Sequence, residues 1–260
     1  MYKVVVDDSQ YKNWTYYTVN NLQPVELDFS PLDYKLYSND MFDIIDNKPL
    51  VIHSLIKESE QTAGVLSLQK TFGRCGKKFY YQCIPNDKRL PHVLIPYSIK
   101  NDFHKKNKNL YVLFKYTTWD GKHPNGMLLE TLGSVNDLPT YYNYLLYCKN
   151  LNISLKKFNE DTNVALKKKK SEQIILDICK QRQIEDRTSR KIFTIDSSSC
   201  LDYDDAVGFE NNILSVYISN VPLWIDCLQL WRSFTKRVST IYLPDKKRPM
   251  LPTILSDCLC

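Results

Sequence analysis

No apolar run in these 260 residues approaches the ~18 that a helix needs to cross a bilayer, so a helical membrane span is excluded. The opening residues MYKVVVDDSQ lack the basic, apolar and small-residue zones of a secretory leader. An intracellular, reducing compartment (cytoplasmic or nuclear) is therefore expected, with the eight cysteines as free thiols. These cysteines, at 75, 83, 148, 179, 200, 227, 258 and 260, include no Cys-x-x-Cys pair. The four histidines, at 53, 92, 104 and 123, never fall at metal-ligand spacing with them, so no structural zinc site is expected. Glycine is scarce, 7 residues against 18 Tyr and 10 Phe, which points to strand-rich structure with aromatic faces. Internal repeats and low-complexity tracts are absent.

What is present is an ordinary core-forming composition, 43% hydrophobic and 25% charged. The net charge of +6 is unevenly spread. Residues 1–50 carry 4 Lys against 8 acids, whereas residues 51–200 carry 25 Lys and Arg against 14 acids. A basic middle beside an acidic cluster suits a module that delivers a polyanion to a metal-dependent site.

Residues 1–48 read as an acidic, irregular segment with short strands around Tyr2–Val6 and Trp14–Val19. From Pro49, six apolar or alternating runs follow: VIHSLI, AGVLSLQ, KKFYYQCI, VLIPYSI, LYVLFKYTTW and GMLLETLGSV. Turn chemistry separates them, as in PNDKRLP and WDGKHPNG. Short strands at this spacing predict a small closed barrel of OB type. In Lys77–Ile84, Phe79 and Tyr81 share one face and Lys78 and Tyr80 the other. Barrel core is the favoured role for such aromatics, ahead of base stacking. LPTYYNYLLYCKNLNISLKKF predicts a helix broken near Asn150. VALKKKKSEQIILDICKQR predicts a basic helix with an Ile174, Ile175, Ile178 stripe, and Lys167–Lys170 as a solvated face or a phosphate contact. A strand, KIFTI, then precedes the acidic loop. Asn211–Asn212 signals a hairpin, and VPLWIDCLQLWRSFTKRVSTIYL has a helical rhythm.

The acidic loop, TIDSSSCLDYDD, sets Asp196, Asp202, Asp204 and Asp205 within ten residues. At ~5 Å and an effective dielectric of ~20, each like-charged pair costs about 3 kcal/mol. Divalent cations remove that cost. Mg²⁺ favours carboxylate and phosphate oxygens, and two such ions activate water and stabilise the leaving oxygen of a phosphoryl displacement. A solvated acidic loop and the Asp-x-Asp of metal-dependent sugar transferases remain alternatives on spacing alone. The transferase would need strand–helix alternation upstream of the loop, which is missing.

KIFTIDSSSCLDYDDAVGF resembles the opening signature of the RNB catalytic domain of the ribonuclease II family. ILSVYISNV resembles the next block and RVSTIYLPDKKRPMLPTILSDCLC the one after. Upstream, KKFYYQCIPNDKRLPHVLIP and WDGKHPNGMLLETLGSVND resemble the second cold-shock (OB) domain of exosome-type members. The resemblance implies a mainly β fold with α (α+β). Residues 1–48 would hold an abbreviated first cold-shock-like domain, 49–140 an RNA-binding barrel, 141–190 a helical linker and 191–260 the start of the RNB domain. It also implies Mg²⁺-dependent (Mn²⁺ as a substitute), processive 3′→5′ hydrolysis of single-stranded RNA to nucleoside 5′-monophosphates.

By position, Asp196, Asp202, Asp204 and Asp205 match the family's active-site acids, which ligate two metals and position the attacking water. Tyr242 matches an aromatic that lies against bases near the 3′ end, although core packing explains a strand tyrosine equally well. Two departures stand out. Asn220 replaces a common Asp, and only about 70 residues of a much longer catalytic domain are present. The resemblance thus implies the N-terminal portion of an exoribonuclease, with little activity alone. Its expected partners are single-stranded RNA, the C-terminal RNB remainder or an exosome-like complex, and no membrane. The alternative is a non-catalytic RNA-binding module carrying a relic RNB segment.

Overall fold

A computed structural model describes residues 1–99, 108–168, 170–197, 203 and 205–256. The chain divides into two compact units, Met1–Asn152 and Ile153–Cys260.

The first unit opens with an antiparallel five-stranded sheet. It contains β1 (Tyr2–Val6), β2 (Trp14–Thr18), β3 (Pro24–Val25), β4 (Met41–Ile45) and β5 (Lys48–His53), ordered β3-β2-β1-β4-β5. Alternation buries Val4, Val6, Tyr16 and Phe42 together with Leu36. VIHSLI, expected as the first barrel strand, is instead the end of β5 and pairs with β4. A short α1 (Leu55–Glu58), capped by the Ser54 hydroxyl, then turns the chain into the second sheet.

That sheet comprises β6 (Thr62–Cys75), β7 (Lys78–Pro85), β8 (Val93–Tyr97), β9 (Leu110–Tyr116) and β10 (Gly126–Ser134), in the order β10-β9-β6-β7-β8. A parallel bridge, Leu94 to Asn125, joins β8 to the lead-in of β10, and the Leu94 N–H donates to the Pro124 carbonyl at 2.8 Å. These contacts close the ladder into the OB-type barrel expected from the remaining five runs. Leu66, Tyr81, Cys83, Ile95, Val112 and Phe114 fill the interior. Gly64 is required where strands crowd, since a Cβ there would lie 2.8 Å from the Ile84 carbonyl oxygen. Tyr81 is core, as favoured from the sequence, and Phe79 packs at the core's margin.

Against the barrel's outer surface lies α2 (Leu138–Cys148). The Asp137 carboxylate caps it by accepting from the Thr140 N–H at 2.9 Å. Tyr144 stacks on Tyr111 of β9, with ring centroids 4.2 Å apart. The helix ends as expected, with Asn150 at φ 55°.

In the second unit, α3 (Lys156–Lys168) and α4 (Ser171–Arg182) replace the continuous basic helix expected there. Ile174 and Ile178 are buried, but Ile175 faces out and is not part of the stripe. The three-stranded sheet β11 (Ile192–Phe193), β12 (Asp205–Glu210) and β13 (Ile213–Ile218) follows, then α5 (Val221–Cys227) and the short pair β14 (Ile241–Tyr242) and β15 (Lys247–Arg248). The helical rhythm after Val221 is realised only as far as Cys227. Beyond it, Gln229 takes φ 57° and the chain runs irregularly to β14. Phe158, Ile178, Trp224, Ile225, Leu230 and Leu255 share one core, so α3 and α4 pack with α5 and the C-terminal segment.

Candidate active site and nucleic-acid interface

The acidic segment connects β11 to β12. These strands are antiparallel, with Ile192 opposite Gly208 and Phe193 opposite Val207. Asp196 therefore leaves β11 at the end of the sheet where Asp205 opens β12, and both carboxylates are exposed. Asp202 and Asp204 lie outside the described residues. Among the described residues, no three His, Cys, Asp or Glu side chains come together in a metal-binding group. The donor chemistry of Asp196 and Asp205, solvent-facing carboxylate oxygens at one sheet end, fits a hard divalent ion.

A tight turn fixes the register of this end. Asn211 and Asn212 have φ 51° and 61°, the positive values demanded by a type I′ two-residue hairpin. The turn sets Glu210 opposite Ile213 and, five pairs along, Asp205 opposite Ile218. Asn220 follows at the start of α5. Its side-chain oxygen accepts from the Leu223 N–H at 3.1 Å, the capping bond that an aspartate would make. The departure at this position thus preserves the helix start.

Tyr242 is exposed and sits on β14 opposite Lys247. It lines a cleft of about 420 Å³ with Tyr203, Val221, Val238 and Met250. Tyr203, flanked in sequence by Asp202 and Asp204, brings the acidic segment to the same cleft. Two interactions hold the cleft's floor. Arg248 makes a paired bridge to Asp245, at 2.9 and 2.7 Å, which holds that carboxyl below the usual range. The half-buried Arg237 guanidinium donates to the Pro249 carbonyl at 2.9 Å and to the Ile153 carbonyl.

On the barrel, a second array was not singled out from the sequence. The Lys70 ammonium lies 5.5 Å from the Phe72 ring centroid, and His123 approaches the same ring edge-on at 6.2 Å. One step on, the Arg74 guanidinium covers Phe79 at 4.9 Å. Basic and aromatic residues alternate in KTFGR, which was the available signal, but its placement on an extended β6–β7 arm is a tertiary result. Partly exposed rings beside cations match what single-stranded nucleic acid needs, stacking planes and phosphate partners. Lys167, Lys168 and Lys170 are exposed around the break between α3 and α4.

Residues 184–260 match the RNB domain family, and residues 80–150 match the Dis3-like cold-shock domain 2 (CSD2). The DIS3-like exonuclease 2 of Schizosaccharomyces pombe is 30% identical over 200 residues, covering 71% of this chain and 21% of that protein. Ribonuclease R of Chlamydia trachomatis is 47% identical over 74 residues, 26% of this chain and 11% of that protein. Among solved structures, Mycoplasma genitalium RNase R in complex with ribose-methylated single-stranded RNA shares the fold with a TM-score of 0.66 at 18% identity, over 100% of this chain and 41% of that one. Yeast Ssd1, described as a pseudonuclease, aligns with a TM-score of 0.54 at 14% identity, over 99% of this chain and 39% of that one. The chain therefore spans about a fifth of the length of the fission-yeast relative.

Proposed function

Starting from a chain that belongs to the ribonuclease II (RNB) family through its cold-shock and RNB segments, we propose that it forms the RNA-entry and metal-ligand portion of a 3′→5′ exoribonuclease. The observation that carries this reading is the cleft shared by Tyr203 and Tyr242, into which the acidic segment opens. Asp196, Asp202, Asp204 and Asp205 are assigned as the ligands of two Mg²⁺ ions, with Mn²⁺ as a substitute. Bound there, the ions supply an activated water and charge stabilisation at the phosphodiester. The carboxylates orient that water and Tyr242 stacks on a terminal base. Lys70, Phe72, Arg74 and Phe79 hold the strand upstream by its backbone and bases, without reading sequence. Release of nucleoside 5′-monophosphates and processive action belong to the same proposal.

Exposed carboxylates without a surrounding shell position nothing, because preorganisation comes from the walls of a site. The 260 residues by themselves are thus expected to release few mononucleotides. The test is a chimera in which residues 184–260 replace the matching segment of Chlamydia trachomatis ribonuclease R. It should degrade 5′-labelled single-stranded RNA from the 3′ end, and Asp204→Asn should slow it on the order of 10²-fold or more while RNA affinity persists. Unchanged activity in the variant removes the assignment. The second reading, an RNA-binding module without catalysis, draws on the fold shared with a pseudonuclease. It predicts RNA affinity indifferent to EDTA and an inactive chimera.

A further inference from the structure

We propose that one face of the β11–β12–β13 sheet is a docking surface for RNB polypeptide of the kind its relatives carry outside the region matched here, and that this occupant walls in the acidic loop. The inference rests on the RNB reading above. The register places Phe193, Val207, Phe209, Leu214, Val216 and Ile218 on a single face, with Asp205 at its end. Five of these six are large and strongly exposed, from 55% for Phe193 to 76% for Ile218. The opposite face is mixed, with Gly208, Glu210, Ser215 and Tyr217.

An antiparallel sheet with one polar and one apolar face ordinarily buries the apolar one. Here the unit's core is built from α3, α4, α5 and the C-terminal segment, and none of its buried hydrophobic residues comes from these strands. A contiguous apolar face of this kind marks an interaction site, whereas scattered exposed side chains would not. The occupant follows from the comparison of lengths. The whole of this chain superposes on RNase R and accounts for 41% of it, so most of the relative's polypeptide has no counterpart here. Because Asp205 terminates the face, a polypeptide seated on it borders the β11–β12 connection. The contact that buries the apolar residues then also encloses the carboxylates.

The experiment mixes the full 260-residue chain with the Chlamydia trachomatis ribonuclease R polypeptide that follows its 74 matched residues, and measures association by size-exclusion chromatography with light scattering. A 1:1 complex is expected. Phe209→Glu and Val216→Glu should each weaken it at least tenfold, whereas Ile213→Glu, equally exposed on the other face, should not. Circular dichroism checks that each variant is folded. Absence of a complex, or a complex insensitive to the two face variants, overturns the proposal. Self-association of the chain abolished by Val216→Glu overturns it in favour of a second copy. Mononucleotide release is scored separately. A complex that forms through this face but leaves RNA intact keeps the docking inference and removes the nuclease reading. An active chimera without association in trans does the reverse.

Discussion

Asn220 caps α5 through a single side-chain oxygen, so its replacement separates structure from charge. Asn220→Ala should cost about 1 kcal/mol in urea denaturation, while Asn220→Asp should be neutral or slightly stabilising at the helix N-terminus. Phe72 separates binding from folding in a similar way, since it lies on the barrel's arm outside the buried core. Phe72→Ala should weaken binding of single-stranded oligonucleotide by about 1–3 kcal/mol without lowering the melting temperature. Asp40 gives a pH signature. It is fully buried in the first unit, accepts from the Tyr37 N–H at 2.9 Å, and burial raises its carboxyl pKa. A raised folded-state pKa means that the native state binds more protons than the unfolded chain above the ordinary carboxylate range, so this group destabilises as pH rises. Asp40→Asn should therefore gain stability relative to the natural chain at neutral pH, and the gain should shrink on acidification. At this scale the acids were legible, because four carboxylates in ten residues are conspicuous in any context. The Lys70–Phe72–His123 group was not, since His123 joins it only across the fold.

Among the elements, the β12–β13 hairpin holds the active-site end in register, and its Asn-Asn turn is the lever. Asn212→Gly should stabilise the hairpin modestly, and Asn212→Val should destabilise it by about 1 kcal/mol or more, because a β-branched residue resists φ 61°. Amide hydrogen exchange along Asp205–Ile218 would report both changes. The hairpin was readable because its turn chemistry is local. The OB barrel was readable for the same reason in five of its runs. VIHSLI was misassigned because alternation reveals a strand but not its partner, and Met41–Ile45 claimed it through a two-residue turn at Asp46 and Asn47, both at positive φ. The helical rhythm after Val221 failed beyond Cys227 for a different reason. There, Leu228, Leu230, Leu251 and Leu255 are buried by tertiary packing against α3 and α4, and an apolar spacing does not distinguish that from a helix.

For the molecule as a whole, charge and incompleteness set the expectations. The basic excess in residues 51–200 should make RNA affinity fall steeply between about 50 and 200 mM salt, while EDTA leaves it unchanged, because phosphate neutralisation carries binding. Catalysis is a separate matter, resting on carboxylates at a sheet end whose apolar face still requires cover. Sequence reading recovered the ligand set and the family, but nothing in a one-dimensional pattern shows which face of β11–β12–β13 is left uncovered. The central claim is that Asp196, Asp202, Asp204 and Asp205 hold divalent ions directly against the RNA phosphate. Phosphorothioate interference tests it most directly, in the chimera bearing residues 184–260. With sulfur in place of a non-bridging oxygen at the 3′-terminal linkage, Mg²⁺-supported release should drop sharply and a thiophilic ion such as Mn²⁺ or Cd²⁺ should restore it. Equal rates for the oxygen and sulfur substrates in both stereoisomers, with no rescue by softer metals, would contradict the account.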